Sequence, residues 1–527
     1  MRVIGRYYRL LDKYLPEGDV TLIEELGMIE DEEIIEDYWI YKPFVRAEIV
    51  KILDSEEMRY RVMEPTLTVE EFSVLEELYK DIGDVLILKD LTIELEAKEK
   101  ILLSTFKDLI GEYGIELNPV LECKYIYYLF RDFLGFGPID AVLNDPYVED
   151  IHCDGYDIPI YLNHKKYGNI ATDIRFSEEE LDKYVQALVQ MSGKHVSHGN
   201  PIIDATLPDG SRLQATYGVE VTPRGSSFTI RKFTEEPLTP VDLIRFGTYT
   251  AEQLAYFWLV VEHKLNLMVV GETAAGKTTT LNAILMFLPP EAKVVSIEDT
   301  REIALKHENW IAGVTREAVT GDEREISMYD LLRAALRQRP DYIVVGEVRG
   351  KEAQTLFQAM STGHAAYATL HAGDIHQTIY RLETEPLNVP RSLIQFLDVI
   401  SIQTQWTREG IRKRRVKNVY EILGIDPNDK NLLINEVYRW NPYTDEHYPI
   451  NPLKKLEKIS IIRGEDVGQT MEELNRRAEF LEFLNKLDIR DLRSVTSMIH
   501  AYYRNPFESF DTIMKEGRKY EKAEAKA

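Results

Sequence analysis

Apolar residues follow two rhythms along the chain, and the change between them comes near residue 248. Before it, residues 44–53 and 58–63 alternate partly between apolar and polar and stop at Glu64-Pro65, which predicts a small pair of strands. Thr68, with Glu71 three positions on, has the form of a capping box and predicts a helix through Tyr79. Residues 121–235 mix helical and strand patterns around turn signals at Gly135, Gly137-Pro138, Asp145-Pro146 and Asp209-Gly210. After the change, continuous apolar runs at 265–270, 293–297, 342–345 and 365–370 alternate with helical segments. Strands apolar on both faces belong to a parallel sheet covered by helices on each side, so an α/β core is predicted. Past residue 470, Leu474, Ala478, Leu481 and Leu484 recur at helical spacing, with Glu473, Arg476, Arg477 and Glu482 largely on other faces.

These rhythms predict an accessory domain over 1–120, a middle α+β domain over 121–235, a linker over 236–247 and the α/β domain with C-terminal helices over 248–527. Pro237 and Pro240 favour extended backbone in the linker. The acidic run 24–37, which holds Glu24, Glu25, Glu30, Asp31, Glu32, Glu33, Glu36 and Asp37, predicts a solvated helix face or loop. Residues 515–527 are charged and predict a frayed tail.

Charge narrows the partners. With 89 acidic residues against 63 Lys and Arg, the net charge of -26 repels a phosphate backbone, so nucleic acid is not expected and a protein partner is. The 2 cysteines, Cys123 and Cys153, build neither a disulfide framework nor a zinc knuckle, which suits a reducing cytosol. The amino terminus lacks the pattern of a secretory signal. The apolar stretch 254–270 is broken by Glu262, His263 and Lys264, so no direct membrane span is expected, and membrane association must come through a partner.

The chemistry centres on Gly271-Glu272-Thr273-Ala274-Ala275-Gly276-Lys277-Thr278, a full match to the phosphate-binding loop. Its glycines let backbone N–H groups wrap a polyphosphate, and Lys277 neutralises the β and γ oxygens. Thr278 offers a hydroxyl to Mg²⁺, and a helix over 279–287, opened by Thr279, supplies its positive end. A second strand ends at Glu298-Asp299 and a third at Gly346-Glu347, and reactive groups gather at the carboxyl ends of strands in such sheets. Glu298 and Glu347 are therefore the pair that could orient the attacking water and help hold the metal. His364 and His371 bracket a further strand, from which a histidine could sense the γ-phosphate. Zinc is disfavoured because no third ligand lies at sensible spacing.

Taken together, these segments resemble the type II/IV secretion system ATPases. The resemblance rests on the loop 271–278, the acidic box 297–303, the segment 336–349, and the histidine box Gly363-His364 with Thr369-Leu370-His371-Ala372; it extends upstream through 196–212 and 228–233. It implies a RecA-like P-loop core preceded by α+β domains. It makes Glu298 the general base, gives Glu347 with Thr278 to the metal, and makes Arg212 and Arg231 arginine fingers. ATP and Mg²⁺ are the implied cofactors. A homohexameric cytoplasmic motor is implied, peripheral at the inner face of the membrane through a polytopic platform protein and other motor components. The zinc insertion of many bacterial relatives needs four cysteines and cannot be built. The stretches Pro138-Ile139-Asp140, Asp145-Pro146 and Glu149-Asp150 look more like the archaeal branch, particularly the archaellum motor, with type IV pili and secretion filaments left open. The alternative, a nucleic-acid translocase on the same core, rests on the basic run 412–417.

Overall fold

The computed structural model describes residues 7–16, 18, 20–24, 31–83, 94–233, 237–316, 325–408, 411–512 and 515. Along its length the chain divides into two compact units, 1–233 and 234–527.

The first unit is built on nine strands: β1 (Glu32–Tyr41), β2 (Val45–Ile52), β3 (Met58–Met63), β4 (Val148–Cys153), β5 (Tyr161–His164), β6 (Gly168–Thr172), β7 (Ile202–Thr206), β8 (Arg212–Thr216) and β9 (Ser227–Arg231). They join in the order β1-β2-β3-β6-β5-β4-β9-β8-β7. The boundary expected near residue 120 is crossed by this sheet, because β3 pairs in parallel with β6 through Arg59 opposite Ala171 and Tyr60 opposite Thr172. Accessory and middle segments therefore share one sheet and one core. Tyrosines serve that core twice: their rings fill it, and their hydroxyls satisfy buried carboxylates. Tyr8 donates to Asp140 at 3.0 Å, and Tyr38 donates to Asp145 at 2.6 Å.

Part of the acidic run is a strand and not a helix face or loop, since 32–37 open the edge strand β1. Its carboxylates are accommodated because cations flank the edge: Lys166 binds Glu36 at 2.7 Å, and Arg61 binds Glu32 at 2.5 Å. Residues 25–30 of the run lie outside the described residues.

The second unit holds β10 (Leu267–Gly271), β11 (Val294–Glu298), β12 (Trp310–Val314), β13 (Tyr342–Val345), β14 (Ala365–His371), β15 (Val399–Arg408), β16 (Ile411–Ile425), β17 (Leu432–Asn441) and β18 (Glu446–Pro449). Their order is β12-β11-β13-β14-β10-β15-β16-β17-β18. The first six neighbours run parallel, and β16 to β18 extend the sheet antiparallel. Leu267 and Val269 enter one hydrophobic cluster while Met268 and Val270 enter the other, so both faces of β10 are buried. Tyr342 and Val344 divide from Ile343 and Val345 on β13 in the same way. The helices Ala251–Glu262, Lys277–Leu285 and Val467–Lys486 cover one face, while Met328–Arg337 and Glu352–Ser361 cover the other. This is the parallel α/β core expected from the apolar runs.

Two local expectations give way. Pro240–Arg245 is a helix within the expected linker: Thr239 caps it, accepting from Asp242 N while Asp242 accepts from Thr239 N, and proline takes the first helical turn where its missing N–H is harmless. Residues 234–236 lie outside the described set. On Val467–Lys486, Glu473 and Arg477 turn inward, joined at 2.8 Å, with Arg477 also bound to Glu262 and its guanidinium 4.8 Å from the Trp258 ring. Periodicity marked them as outward because it cannot register a charge neutralised by a partner elsewhere in the sequence. Most of the tail, 516–527, also lies outside the described residues. Among the described residues no helix is long and apolar enough to cross a membrane.

Candidate active site

The loop 271–276 leaves β10 and closes into Lys277–Leu285, two residues earlier than the pattern suggested. Gly276 caps that helix in the left-handed region at φ +92°, and Ala274 also has positive φ at +60°. The first bond into the helix is Thr280 N to Gly276 O at 2.9 Å, so the N–H groups ahead of it cannot bond within the helix. Lys277 reaches back and donates to Glu272 O at 3.0 Å, and Ala275 N donates to the same carbonyl at 3.3 Å. Thr278 and Thr279 lie half-buried in the first turn, while Glu272, Thr273 and Ala274 are exposed.

Gly271 is a glycine for steric reasons. A Cβ there would stand 2.9 Å from Gln403 O and 3.0 Å from Gln403 Cβ, because β15 pairs in register with the base of the loop. Gly271→Ala is expected to destabilise the chain by about 1–3 kcal/mol in urea unfolding, as overpacked cores do. An unchanged midpoint would show that the Gln403 backbone yields freely.

His371 ends β14 opposite Gly271, and its Nε2 lies 3.3 Å from Thr273 Oγ1. Burial, then the positive charges of Lys277 and Arg381, lower its pKa, and the charges of Glu347 and Glu272 act against them. The ring is thus held toward its neutral form in a field shared by the phosphate loop and the end of β13. His364 does not join this group. It precedes Ala365, which pairs with Tyr342 at the start of β13, so it lies at the opposite end of the strand from His371.

Glu298 ends β11 and is 2% exposed. Its Oε1 accepts from the N–H groups of Glu302 and Ile303, both at 2.8 Å, which folds the acidic box back over the strand end. Burial pushes its pKa up to about 7, against the pull of those two backbone donors. The other oxygen, Oε2, is buried without a hydrogen-bond partner among the described residues. A Cβ at Gly346 would come 3.0 Å from Glu298 Cγ, so the end of β13 abuts this carboxylate. Beside it, Glu347 Oε2 accepts from Arg349 Nε at 2.9 Å, and Arg349 also lies 3.9 Å from Asp299.

This arrangement fits magnesium and a nucleoside triphosphate. A buried acceptor that lacks a donor is an unsatisfied demand which a water molecule or metal-bound water can meet, and the loop presents amide donors and an ammonium for phosphate. Thr278 and Glu347 carry oxygen atoms of the hard kind that magnesium takes.

Arg212 and Arg231 stand directly opposite each other on β8 and β9 of the first unit, and Asp150 on β4 faces Arg231 from its other side. Asp204 lies 3.9 Å from Arg212. Sequence reasoning missed three residues. Gln403 lies under the loop, its amide donating to Tyr249, which in turn meets Ser401 at 2.6 Å. Arg349 bridges Glu347 and Asp299. Arg414 donates to Ala274 O at 3.0 Å. Arg414 had a visible signal in its place in the basic run, as did Arg349 at the end of the segment 336–349.

The description "Type II/IV secretion system protein" matches residues 134–425, more than half of the 527 residues. The chain belongs to this family. Over its length, this secretion-family protein is 37% identical to an uncharacterized protein of Methanocaldococcus jannaschii, covering 94% of this chain and 93% of that one. A second uncharacterized protein of that organism is 49% identical over 47% of this chain and 92% of its own length. The conjugal transfer protein TrbB of Rhizobium radiobacter is 31% identical over 47% of the secretion-family chain and 72% of its own. Among solved structures, the Legionella pneumophila ATPase DotB overlaps with a TM-score of 0.41 at 16% identity, over 71% of this chain and 96% of that chain, too slightly to speak for activity.

Proposed function

We propose that the chain binds ATP at the loop 271–279 and hydrolyses it as one subunit of a homohexameric motor. In this reading the motor docks on a polytopic membrane platform protein, at the cytoplasmic face, with other motor components. It drives assembly or rotation of an archaellum or type IV pilus-like filament, or secretion. The observation that carries the reading is the gathering of Lys277, Thr278, Glu298, Glu347 and His371 at the carboxyl ends of neighbouring strands and the turn that follows one of them.

Each residue has a task that its surroundings favour. Lys277 exchanges the Glu272 carbonyl for phosphate oxygens. Magnesium, when bound, spreads the charge of the β and γ oxygens; Thr278 and Glu347 would hold it. Glu298, with its raised proton affinity, is a stronger base than an exposed glutamate and takes a proton from the attacking water through Oε2. A neutral His371 reports phosphate occupancy to β14 through Thr273. Arg212 and Arg231 are assigned to the charge that develops on the transferred phosphate, as the family resemblance implies. The relative named for conjugal transfer is in keeping with work on a transport machine.

Purified protein should release inorganic phosphate from ATP only when magnesium is added, and light scattering with a nonhydrolysable ATP should give the mass of a hexamer. Absence of phosphate release would remove the enzyme, and a monomer with and without nucleotide would remove the ring.

A further inference from the structure

The basic run is the strongest charge feature left without a function, and two of its side chains, Arg414 and Lys417, reach the nucleotide site. Lys413 and Arg415 both bind Asp445, at 3.0 and 2.7 Å, and the Arg415 guanidinium also reaches Phe246 O at 2.8 Å. The residues between and beyond them turn elsewhere. Arg414 donates through Nε to Ala274 O at 3.0 Å, and its Cδ lies 3.3 Å from where a Cβ on Gly276 would stand. Lys417 Nζ lies 3.4 Å from Gly373 O, in the turn that follows His371. A Cβ on Gly373 would sit 3.0 Å from Glu272 Oε1. The basic run therefore touches both the phosphate loop and the histidine turn beside it.

We infer that Arg414 is a positioning residue of the nucleotide site, a brace from β16 that holds the phosphate loop in its anion-binding shape, with Lys417 as a second point of attachment. The inference rests on the proposal that the loop binds ATP. Ala274 carries a Cβ yet sits at φ +60°, a conformation that L residues other than glycine seldom hold unless something fixes them. Arg414 fixes it by taking up the carbonyl. In a trans peptide the carbonyl and the next N–H point in opposite directions. With Ala274 O turned to Arg414, the Ala275 N–H is aimed into the loop, where it shares Glu272 O with Lys277. Both donors then face the position that a polyphosphate enters, and the incoming oxygens replace one backbone carbonyl as their acceptor. β15 carries Gln403 against Gly271 and β16 carries Arg414 to Ala274, so two adjacent strands hold the loop at two points. Lys413, Arg414, Arg415 and Lys417, four of the residues on which the nucleic-acid reading rested, thus have partners within the chain.

The test is binding of a fluorescent N-methylanthraniloyl ATP to the full chain, with steady-state hydrolysis alongside. Arg414→Ala should weaken binding about tenfold, the loss of one hydrogen bond from a charged donor, and raise KM by a similar factor while kcat falls less than about threefold. Adding Ala274→Gly to that variant should recover most of the loss, because glycine takes positive φ without the brace. Arg414→Lys keeps the charge and the stem and should fall between the two; it carries the comparison if the alanine variant does not fold. Equal affinity of Arg414→Ala and the unaltered chain would overturn the brace, as would an undiminished loss in the double variant. If the unaltered chain itself fails to bind the probe, the ATP proposal falls first.

Discussion

Replacing Lys277 with alanine is expected to lower the rate of ATP hydrolysis by about a hundredfold to a thousandfold, the usual consequence of removing one preorganised charge from a phosphate site. The side chain is well placed for so large an effect. It leaves the first residue of a helix, beside Gly276 at positive φ, and already folds over the loop to a backbone carbonyl at 3.0 Å. No other lysine stands within the loop. The fold should survive the change, since Lys277 is only half-buried and packs no core cluster. Phosphate release measured beside a thermal unfolding curve checks both halves: turnover near the original rate would show that the loop is not where ATP is cleaved.

Glu298→Gln is expected to cut turnover about a hundredfold or more while leaving nucleotide binding nearly intact, because the amide keeps the shape and accepts no proton. Its carbonyl oxygen can still accept from Glu302 N and Ile303 N, so the acidic box should stay folded over the strand end. Two pH signatures follow from the raised pKa of about 7. Only the ionised carboxylate acts as a base, so the hydrolysis rate of the unaltered chain should climb as pH rises through about 7, and the residual rate of the variant should not. Stability moves the opposite way. The folded chain holds this proton more tightly than the unfolded chain does, so the group's contribution is fully present below the ordinary glutamate range and is lost as pH rises past about 7. At pH ~8 the glutamine variant should therefore be more stable than the unaltered chain, by on the order of 2–3 kcal/mol, with the gap closing toward pH ~5. A rate profile of the same shape in both proteins would assign the base elsewhere, and a less stable variant at alkaline pH would contradict the buried charge.

Much of this site was readable before any coordinates. The loop 271–278 carries its own conformational logic in its glycines, and the flanking apolar runs mark the strand and helix that a phosphate loop requires, all within some twenty residues. The strand ends at Glu298 and Glu347 were visible for the same reason: an apolar run that stops at an acid is a local pattern. The Met58–Met63 strand and the capping box of Thr68 and Glu71 are likewise present, with Thr68 N donating to Glu71 at 2.8 Å. What failed were readings in which a local rule had to assume its surroundings. Acidic residues of the run 24–37 enter an edge strand because Arg61 and Lys166 come to meet them, and Pro240 of the expected linker opens a helix because Thr239 caps it.

The sequence alone determined which segments are apolar on both faces, where the phosphate loop lies and which acids close the strands, because each of these depends on neighbours a few residues apart. Only the tertiary structure decided that His371 and not His364 faces the loop, that Gly346 abuts Glu298, that Glu473 and Arg477 are buried together, and that Arg414 holds Ala274 from 140 residues away. The physical reason is that strand order, register and the packing of helices on the sheet set these surroundings, and all three depend on the whole core, which no local periodicity records.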